Sequence, residues 1–229
     1  MTASAQTFWL ENLKLASNYN RWIFSQIRPF LGAEVMEVGC GNGNFSALLA
    51  RHCEHLVALD LDAHYAEMTR TRLKDCPHVE VLVADATALG ETRTFDSIVM
   101  LDVLEHIEDD AGTLAALSQH LKPGGRLIIK VPALQSLYSP MDAAIGHYRR
   151  YHEHRLRHTF QRADLPLSKV WHFNMAGIPG WWLNGKVLKR TTPPSSQVGL
   201  FDKVVPLLQA VEDTVPAPVG LSLFAVGQV

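Results

Sequence analysis

Nine consecutive residues, Val35-Met36-Glu37-Val38-Gly39-Cys40-Gly41-Asn42-Gly43, constrain the fold more than any other part of the chain. A short apolar run with strand character ends in three alternating glycines, and a helix-forming stretch follows. Glycine at such a turn lets the backbone come close to a ligand without interference from Cβ. The helix beyond it offers free N–H groups at its first turn. This is the local chemistry of a nucleotide-binding α/β unit. By itself Gly-x-Gly-x-Gly leaves a nicotinamide or flavin cofactor open, although their pattern is nearer Gly-x-Gly-x-x-Gly.

The surrounding pattern alternates strands with helices. Apolar runs at 34–38, 55–60, 79–84, 95–101 and 126–131 read as strands. Segments 8–30, 44–51, 63–74 and 109–120 carry helical spacing. Lys122-Pro123-Gly124-Gly125 reads as the stop of the last of these helices and the turn into the next strand. Five short strands separated by helices predict a doubly wound, largely parallel α/β sheet of Rossmann type, with helices on both faces. The pattern alone does not give the strand order. Further on, 134–151 reads as a loop with a short helix, 152–163 as a helix and 167–174 as a strand. Residues 191–197 read as a polar linker, 202–212 as a helix and 221–229 as a last strand.

Three acidic positions follow strands. Asp60 closes the second strand, Asp85 follows the third, and Asp102 opens Asp102-Val103-Leu104-Glu105-His106 after the fourth. Ligands of open α/β sheets bind at the carboxyl ends of the strands. A carboxylate at Asp60 can accept from both ribose hydroxyls of an adenosine, and one at Asp85 from an adenine amino group. Asp102 and Glu105 also suit helix caps.

Taken together, Glu37–Gly43, Asp60, Ala84-Asp85-Ala86, Asp102–His106 and Leu121-Lys122-Pro123-Gly124-Gly125 make the chain resemble the class I S-adenosylmethionine-dependent methyltransferases over about residues 30–132. The resemblance implies a seven-stranded sheet with an antiparallel last strand, and S-adenosylmethionine as cofactor. It implies that Gly39, Cys40 and Gly41 line the methionine part of the cofactor. Glu37 would hold the glycine loop or, through water, the cofactor's amino end. Asp60 would take the ribose, with Leu61 packing on the adenine. Asp85 would take the adenine amino group and the Ala86 N–H a ring nitrogen, while Asp102 would lie near the methionine amino group. Tyr19, in Asn18-Tyr19-Asn20-Arg21-Trp22, would contact the methionine carboxylate from a helix closing over the cofactor. Packing of that helix on the sheet is the competing reading of Tyr19.

Methyl transfer to an oxygen or nitrogen that carries a proton requires a proton acceptor, and histidine suits that role near neutral pH. His106 and His147 are the candidates, with Tyr148 beside the second in Gly146-His147-Tyr148-Arg149-Arg150-Tyr151. Arg149 and Tyr151 are expected to contact the acceptor, because guanidinium grips a carboxylate or phosphate through paired hydrogen bonds. Trp181 is expected to wall an apolar acceptor pocket, or else to anchor its own segment to a core. The expected division is one methyltransferase domain over 1–229. Within it, 1–30 forms a helical lid, 31–133 the cofactor-binding core, and 134–229 the acceptor-side elements with the last two strands.

Composition narrows the partners. Of the 229 residues 47% are hydrophobic, enough for one sizeable core. Cys40, Cys53 and Cys76 have no metal-ligand spacing, no metal ligand set is read, and so sparse a count suits a reducing compartment. Charged residues interrupt every candidate secretory core near the N-terminus, and no long apolar run exists, so a cytoplasmic location is expected. Residues 147–190 carry nine Lys/Arg against two Asp/Glu, a balance of +7, on a chain whose net charge is −2. Such a segment attracts an anionic acceptor or a membrane headgroup, or forms a solvated helix face. The chain is not basic overall and lacks the Asp/Asn-Pro-Pro-Tyr/Phe pattern, which argues against a nucleic-acid acceptor. A small-molecule acceptor, anionic or lipid-like, is the expected partner. A non-catalytic cofactor-binding regulator or scaffold is the alternative, since fold alone does not set function. Peripheral membrane contact and the oligomeric state stay open.

Overall fold

The computed structural model describes residues 3–89 and 93–229, with the side chains of 3–6, 13 and 15 left out of account. Five strands form where the apolar runs predict them: β1 (Glu34–Val38), β2 (His55–Asp60), β3 (Val79–Val83), β4 (Phe95–Leu101) and β5 (Leu121–Pro132). Two more, β6 (Leu167–Phe173) and β7 (Ser222–Gln228), complete a seven-stranded sheet in the order β3-β2-β1-β4-β5-β7-β6. All neighbouring pairs from β3 to β5 are parallel, and β7 runs antiparallel to both β5 and β6. The order reverses at β1, so the carboxyl ends of β1 and β4 diverge into the crevice typical of doubly wound sheets.

The central strands are buried on both faces, which is why they read as continuous apolar runs rather than alternating ones. Met36, Ile98, Leu127 and Ile129 feed one core with Leu114 and Phe160. Val35, Val99, Ile128 and Phe224 feed the other with Trp22 and Phe173, whose rings lie 4.4 Å apart.

The expected helix over 8–30 is two helices, α1 (Ala3–Leu15) and α2 (Ser17–Ile27), joined at Ala16, whose ψ of 65° is not helical. The helix after the glycines, α3 (Ser46–Leu49), is one turn long. Three helices pack beside the sheet: α4 (Ala63–Arg72), α5 (Asp110–Ser118) and, later in the chain, α7 (Glu153–Arg162). Asp62 caps α4 by accepting from His64 N–H at 2.8 Å, and Asp109 caps α5 by accepting from Gly112 N–H at 3.0 Å.

Lys122-Pro123-Gly124-Gly125 does not stop the helix. It is the start of a long β5, and the ladder with β4 shifts register between Phe95 and Ser97. Gly124, with φ +79°, absorbs this irregularity, a role local spacing cannot tell from a turn.

The segment after β5 holds α6 (Pro140–Ala144). After β6 come α8 (Gly177–Trp181), π-helical turns to Val187, and α9 (Ser195–Thr214). α9 takes up part of the expected linker and continues through Pro206. Among the described residues no helix is long and apolar enough to cross a membrane.

Candidate functional site

The glycine bend folds as the spacing implies. Gly39, Gly41 and Gly43 have φ of +77°, +54° and +75°. A Cβ on Gly39 would stand 2.5 Å from Val103 Cγ2, so only glycine passes there. Asp60 holds the bend from the neighbouring strand. Its Oδ2 accepts from Gly41 N–H at 2.8 Å, and its Oδ1 from Asp62 N–H at 3.0 Å. Burial raises its pKa, against the pull of these backbone donors.

Leu61, beside it, is 75% exposed, an unusual place for a large apolar side chain and a ready platform for a flat ring. Asp85 is exposed and accepts from Thr87 N–H at 2.9 Å, while Ala86 is buried behind it. Acid, exposed leucine and acid thus line the carboxyl ends of β2 and β3. A bend shaped by glycine with two acids and an apolar platform fits an adenosine-containing cofactor.

Glu37 departs from expectation. It is buried, and its Oε2 accepts from Ser46 Oγ on α3 at 2.5 Å. Burial pushes its pKa up to about 8, and its hydrogen bond with Ser46 ties it to α3 behind the bend, whose N–H groups at Gly39, Cys40, Gly41 and Gly43 go to other acceptors. Cys40 is buried, with its thiol pushed up to about 12.

α1 lies across the bend. Leu10 O accepts from Asn42 Nδ2 at 3.0 Å, and a Cβ on Gly41 would meet Leu10 Cδ2 at 3.1 Å. Beyond Leu10 opens a cavity of about 340 Å³ at the carboxyl ends of β4 and β5, within the size range of small-ligand pockets. Tyr19, Asp102, His106, His147 and Trp181 all line it, as do Glu105, Lys130, Arg150 and Asn174. The residues expected at the methionine end of a cofactor therefore face the same space as those expected at the acceptor.

Asp102 has φ +54°, a left-handed conformation that aspartate tolerates better than most residues. Both its oxygens accept from Lys130 Nζ on the adjacent strand, at 2.6 and 2.5 Å. Lys130 is almost fully buried. Burial would lower its pKa, yet the charge and hydrogen bond of Asp102, with the charges of Tyr19 and Glu105, together raise it. Tyr19 Oη accepts from Asn174 Nδ2 at 3.2 Å, and burial raises its pKa.

On the far wall, Asp142 organises three side chains. Its Oδ1 accepts from Arg150 Nε at 2.7 Å and from His147 Nδ1 at 3.0 Å, and its Oδ2 from Ser139 Oγ at 3.1 Å and Ser139 N–H at 2.9 Å. Burial would raise the Asp142 pKa, yet the hydrogen bond from His147 and the charge of Arg150 hold it below the usual carboxylate value. With Nδ1–H given to Asp142, His147 turns Nε2 toward Glu105 Oε1, 3.7 Å away. The His106 ring stands edge-on to that of His147, with centroids 4.7 Å apart. Burial and then the neighbouring His147 bring His106 down to about 4.

Glu105 has no solvent exposure, and neither of its oxygens has a hydrogen-bond partner among the described residues. Burial and then the charge of Asp102 push its pKa well up. The Arg150 guanidinium lies 4.2 Å over the Trp181 ring, and Trp181 stacks on Trp9 at 5.6 Å.

Three expected site residues do not reach this space. Tyr148 is 56% exposed, with Arg149 over its ring. Arg149 pairs with Asp110 at 3.2 Å and donates to Glu108 O at 3.0 Å. Tyr151 is fully buried and bonds Asp110 Oδ2 at 3.1 Å. The physical reason is directional. From His147 to Arg150 the chain follows no helix or strand, so no period fixes where each side chain points, and it pairs with Ala133 only at Tyr151. His147 and Arg150 turn to the cavity, Tyr148 to solvent, and Arg149 and Tyr151 toward α5. Sequence reasoning chose Arg149 as an acceptor contact; in the structure its neighbour Arg150, with 1% exposure, lines the cavity instead. Lys130 and Asp142 carried no signal: one sits inside an apolar strand, the other in a stretch read as loop.

A family model described as a methyltransferase domain matches residues 6–169. The ubiquinone biosynthesis O-methyltransferase of Xylella fastidiosa (strain 9a5c) is 35% identical over 121 residues, 52% of this chain and 49% of that one. Nodulation protein S of Sinorhizobium fredii is 34% identical over 96 residues, 41% of this chain and 44% of that one. The chain thus spans about half the length of the curated relatives it matches. The N-methyltransferase NodS of Bradyrhizobium japonicum, solved with S-adenosyl-L-homocysteine, superposes with a TM-score of 0.56 at 16% identity, over 96% of this chain and 84% of that one. At that identity the likeness speaks for the fold alone.

Proposed function

The chain belongs to the methyltransferase-domain family, and from that premise we propose that it transfers the methyl group of S-adenosylmethionine to an oxygen or nitrogen of a small-molecule acceptor. The observation that carries this reading is the continuity of the two sites. Asp102 and Tyr19, expected at the methionine end of the cofactor, also line the 340 Å³ cavity that holds His147, His106 and Trp181. When bound, the cofactor supplies a methyl group on a sulfonium sulfur, already activated for attack.

The chain's own residues then bind and orient. Asp60 and Asp85 take the adenosine, and Leu61 packs on its base. The bend from Gly39 to Gly41 lets the backbone approach the methionine part. Asp102 serves the methionine amino group, with Lys130 behind it as the counter-charge. α1 and α2 cover the crevice, residues 31–133 carry the cofactor and 134–229 the acceptor. Holding the acceptor in line with the methyl supplies much of the rate gain in such a reaction. The acceptor atom meets His147 Nε2 and His106, and α1 excludes water.

A finer reading concerns the acceptor. The cavity wall is mostly apolar, and one side of it is built by Val198 and Phe201 of α9. The outer face of α9 exposes Leu200, Val204, Leu207 and Val211, with relative exposures of 65, 43, 69 and 54%. Lys186, Lys189 and Lys203 are exposed near this stripe in sequence. An apolar-faced helix over an apolar cavity, with lysines at 186 and 189 just before it, suits a lipid-like acceptor drawn from a membrane surface. The guanidinium of Arg150 suits an anionic or electron-rich group on that acceptor.

Calorimetry with S-adenosyl-L-homocysteine, followed by methylation assays on phenols, carboxylates, amines and prenylated lipids, tests the reading. One molecule of S-adenosyl-L-homocysteine bound per chain and a methylated product are expected. Failure to bind would remove the cofactor assignment. Binding without turnover on any acceptor class would favour a regulator.

A further inference from the structure

We propose that Glu105, His106 and His147 form a binding site for one divalent transition-metal cation, of the Zn²⁺ or Mn²⁺ kind, at the wall of the acceptor cavity. The inference rests on the reading of that cavity as the acceptor site only for its role, and not for the binding itself. One carboxylate oxygen and one ring nitrogen from each histidine lie within 4.8 Å of one another, a spread that a single ion can bridge. Two imidazoles and one carboxylate favour such a cation over Mg²⁺ or Ca²⁺, whose preferred ligands are all oxygen.

The second observation is the state of Glu105. Both oxygens of this fully buried carboxyl lack a hydrogen-bond partner, although buried polar groups almost always have one. Nearby cations do not supply the missing partner, because Lys130 is held by Asp102 and Arg150 by Asp142. A cation at the mouth of Glu105 would.

The histidines are prepared in the manner of metal ligands. His147 Nδ1 is fixed on Asp142, and His106 hydrogen-bonds the backbone of Gly146 and Ile145. A metal-bound imidazole usually has its other ring nitrogen tied to a carboxylate or a backbone carbonyl, which sets the tautomer. The spacing gave no metal signal because the third ligand comes from a different loop, 41 residues after His106 (147 − 106).

Three protein ligands leave coordination positions open toward the cavity, as in catalytic rather than structural metal sites. An acceptor hydroxyl entering one of them would lose its proton to solvent more readily. His147 would then act as a ligand, and the cation rather than the imidazole would activate the acceptor.

The test uses the untagged full chain without added cofactor, dialysed against chelator. Titration with Co²⁺, read by visible absorption, and with Zn²⁺, read by calorimetry, is expected to give one site per chain. Glu105→Gln and His106→Asn should each weaken it at least tenfold, with folding checked by circular dichroism. Asp60→Ala should leave cation binding unchanged while weakening S-adenosyl-L-homocysteine binding, so the two assignments fail separately. Absence of a stoichiometric site, or binding unaltered in both ligand variants, would overturn the proposal. Full methylation activity in excess chelator would overturn the cation's role and leave His147 as the proton acceptor.

Discussion

His147 Nδ1 lies 3.0 Å from Asp142 Oδ1, and Asp142 also holds Arg150 at 2.7 Å, so one buried carboxylate sets the direction of an imidazole and the position of a guanidinium. Both of those groups line the cavity. Asp142 itself does not, which makes it a positioning residue. Asp142→Asn removes the charge opposite Arg150, and breaking a buried pair from one side costs about 3–5 kcal/mol. Stability to urea should fall by that order. If the residue also positions His147, kcat should drop while the KM for S-adenosylmethionine stays put. An unchanged kcat in the folded variant would confine Asp142 to stability.

Asp60 braces Gly41 from β2, and in the proposed cofactor site its carboxylate takes the ribose. Asp60→Ala should weaken S-adenosyl-L-homocysteine binding by about 1–3 kcal/mol, the scale for loss of hydrogen bonds to a charged group. Asp60→Asn keeps an acceptor for Gly41 N–H and should lose less. Equal affinity for wild type and both variants, measured by calorimetry, would take Asp60 out of the ribose site.

The sheet, the glycine bend and the acids after their strands were legible because they depend on local spacing. Residues Val35 to Gly43 contain both strand and bend, and Asp60 and Asp85 follow their strands directly. The acceptor half was legible only in part. Its residues converge from α1, the ends of β4 and β5, the loop after α6 and the helices after β6. No periodicity links Lys130 to Asp102 or Asp142 to His147. In the stretch from His147 to Tyr151 the chemistry was visible and the direction was not: no helix or strand period runs through it, and His147 and Arg150 line the cavity while Tyr148, Arg149 and Tyr151 do not.

Glu37 gives a stability prediction with a definite sign. Its pKa in the folded chain is about 8 against an ordinary 4.5. Below 4.5 both folded and unfolded chains hold the proton, and the contribution is constant. As pH rises from there, the unfolded chain releases the proton and the folded chain keeps it until about 8. Stability is therefore lost over that window, at up to roughly 1.4 kcal/mol per pH unit. Glu37→Gln removes this term and keeps an acceptor for Ser46. Urea unfolding at pH 5, 6.5 and 8 should show a shallower decline in the variant. Parallel profiles would mean that Glu37 is ionised in the folded chain.

The exposed stripe on α9 separates a membrane-drawn acceptor from a freely dissolved one. Leu207 is the most exposed of its four residues and lies outside the cavity. Leu207→Asp places a charge where insertion into a headgroup layer would need apolar surface, and it disturbs no buried contact. Co-sedimentation with vesicles containing anionic lipid should fall several-fold, with S-adenosyl-L-homocysteine affinity unchanged. Raised salt should weaken the wild type as well, because Lys186, Lys189 and Lys203 would contribute through screened attraction. Wild-type chain that stays in the supernatant at low salt would show that the stripe does not meet lipid, and the acceptor would then have to reach the cavity from water.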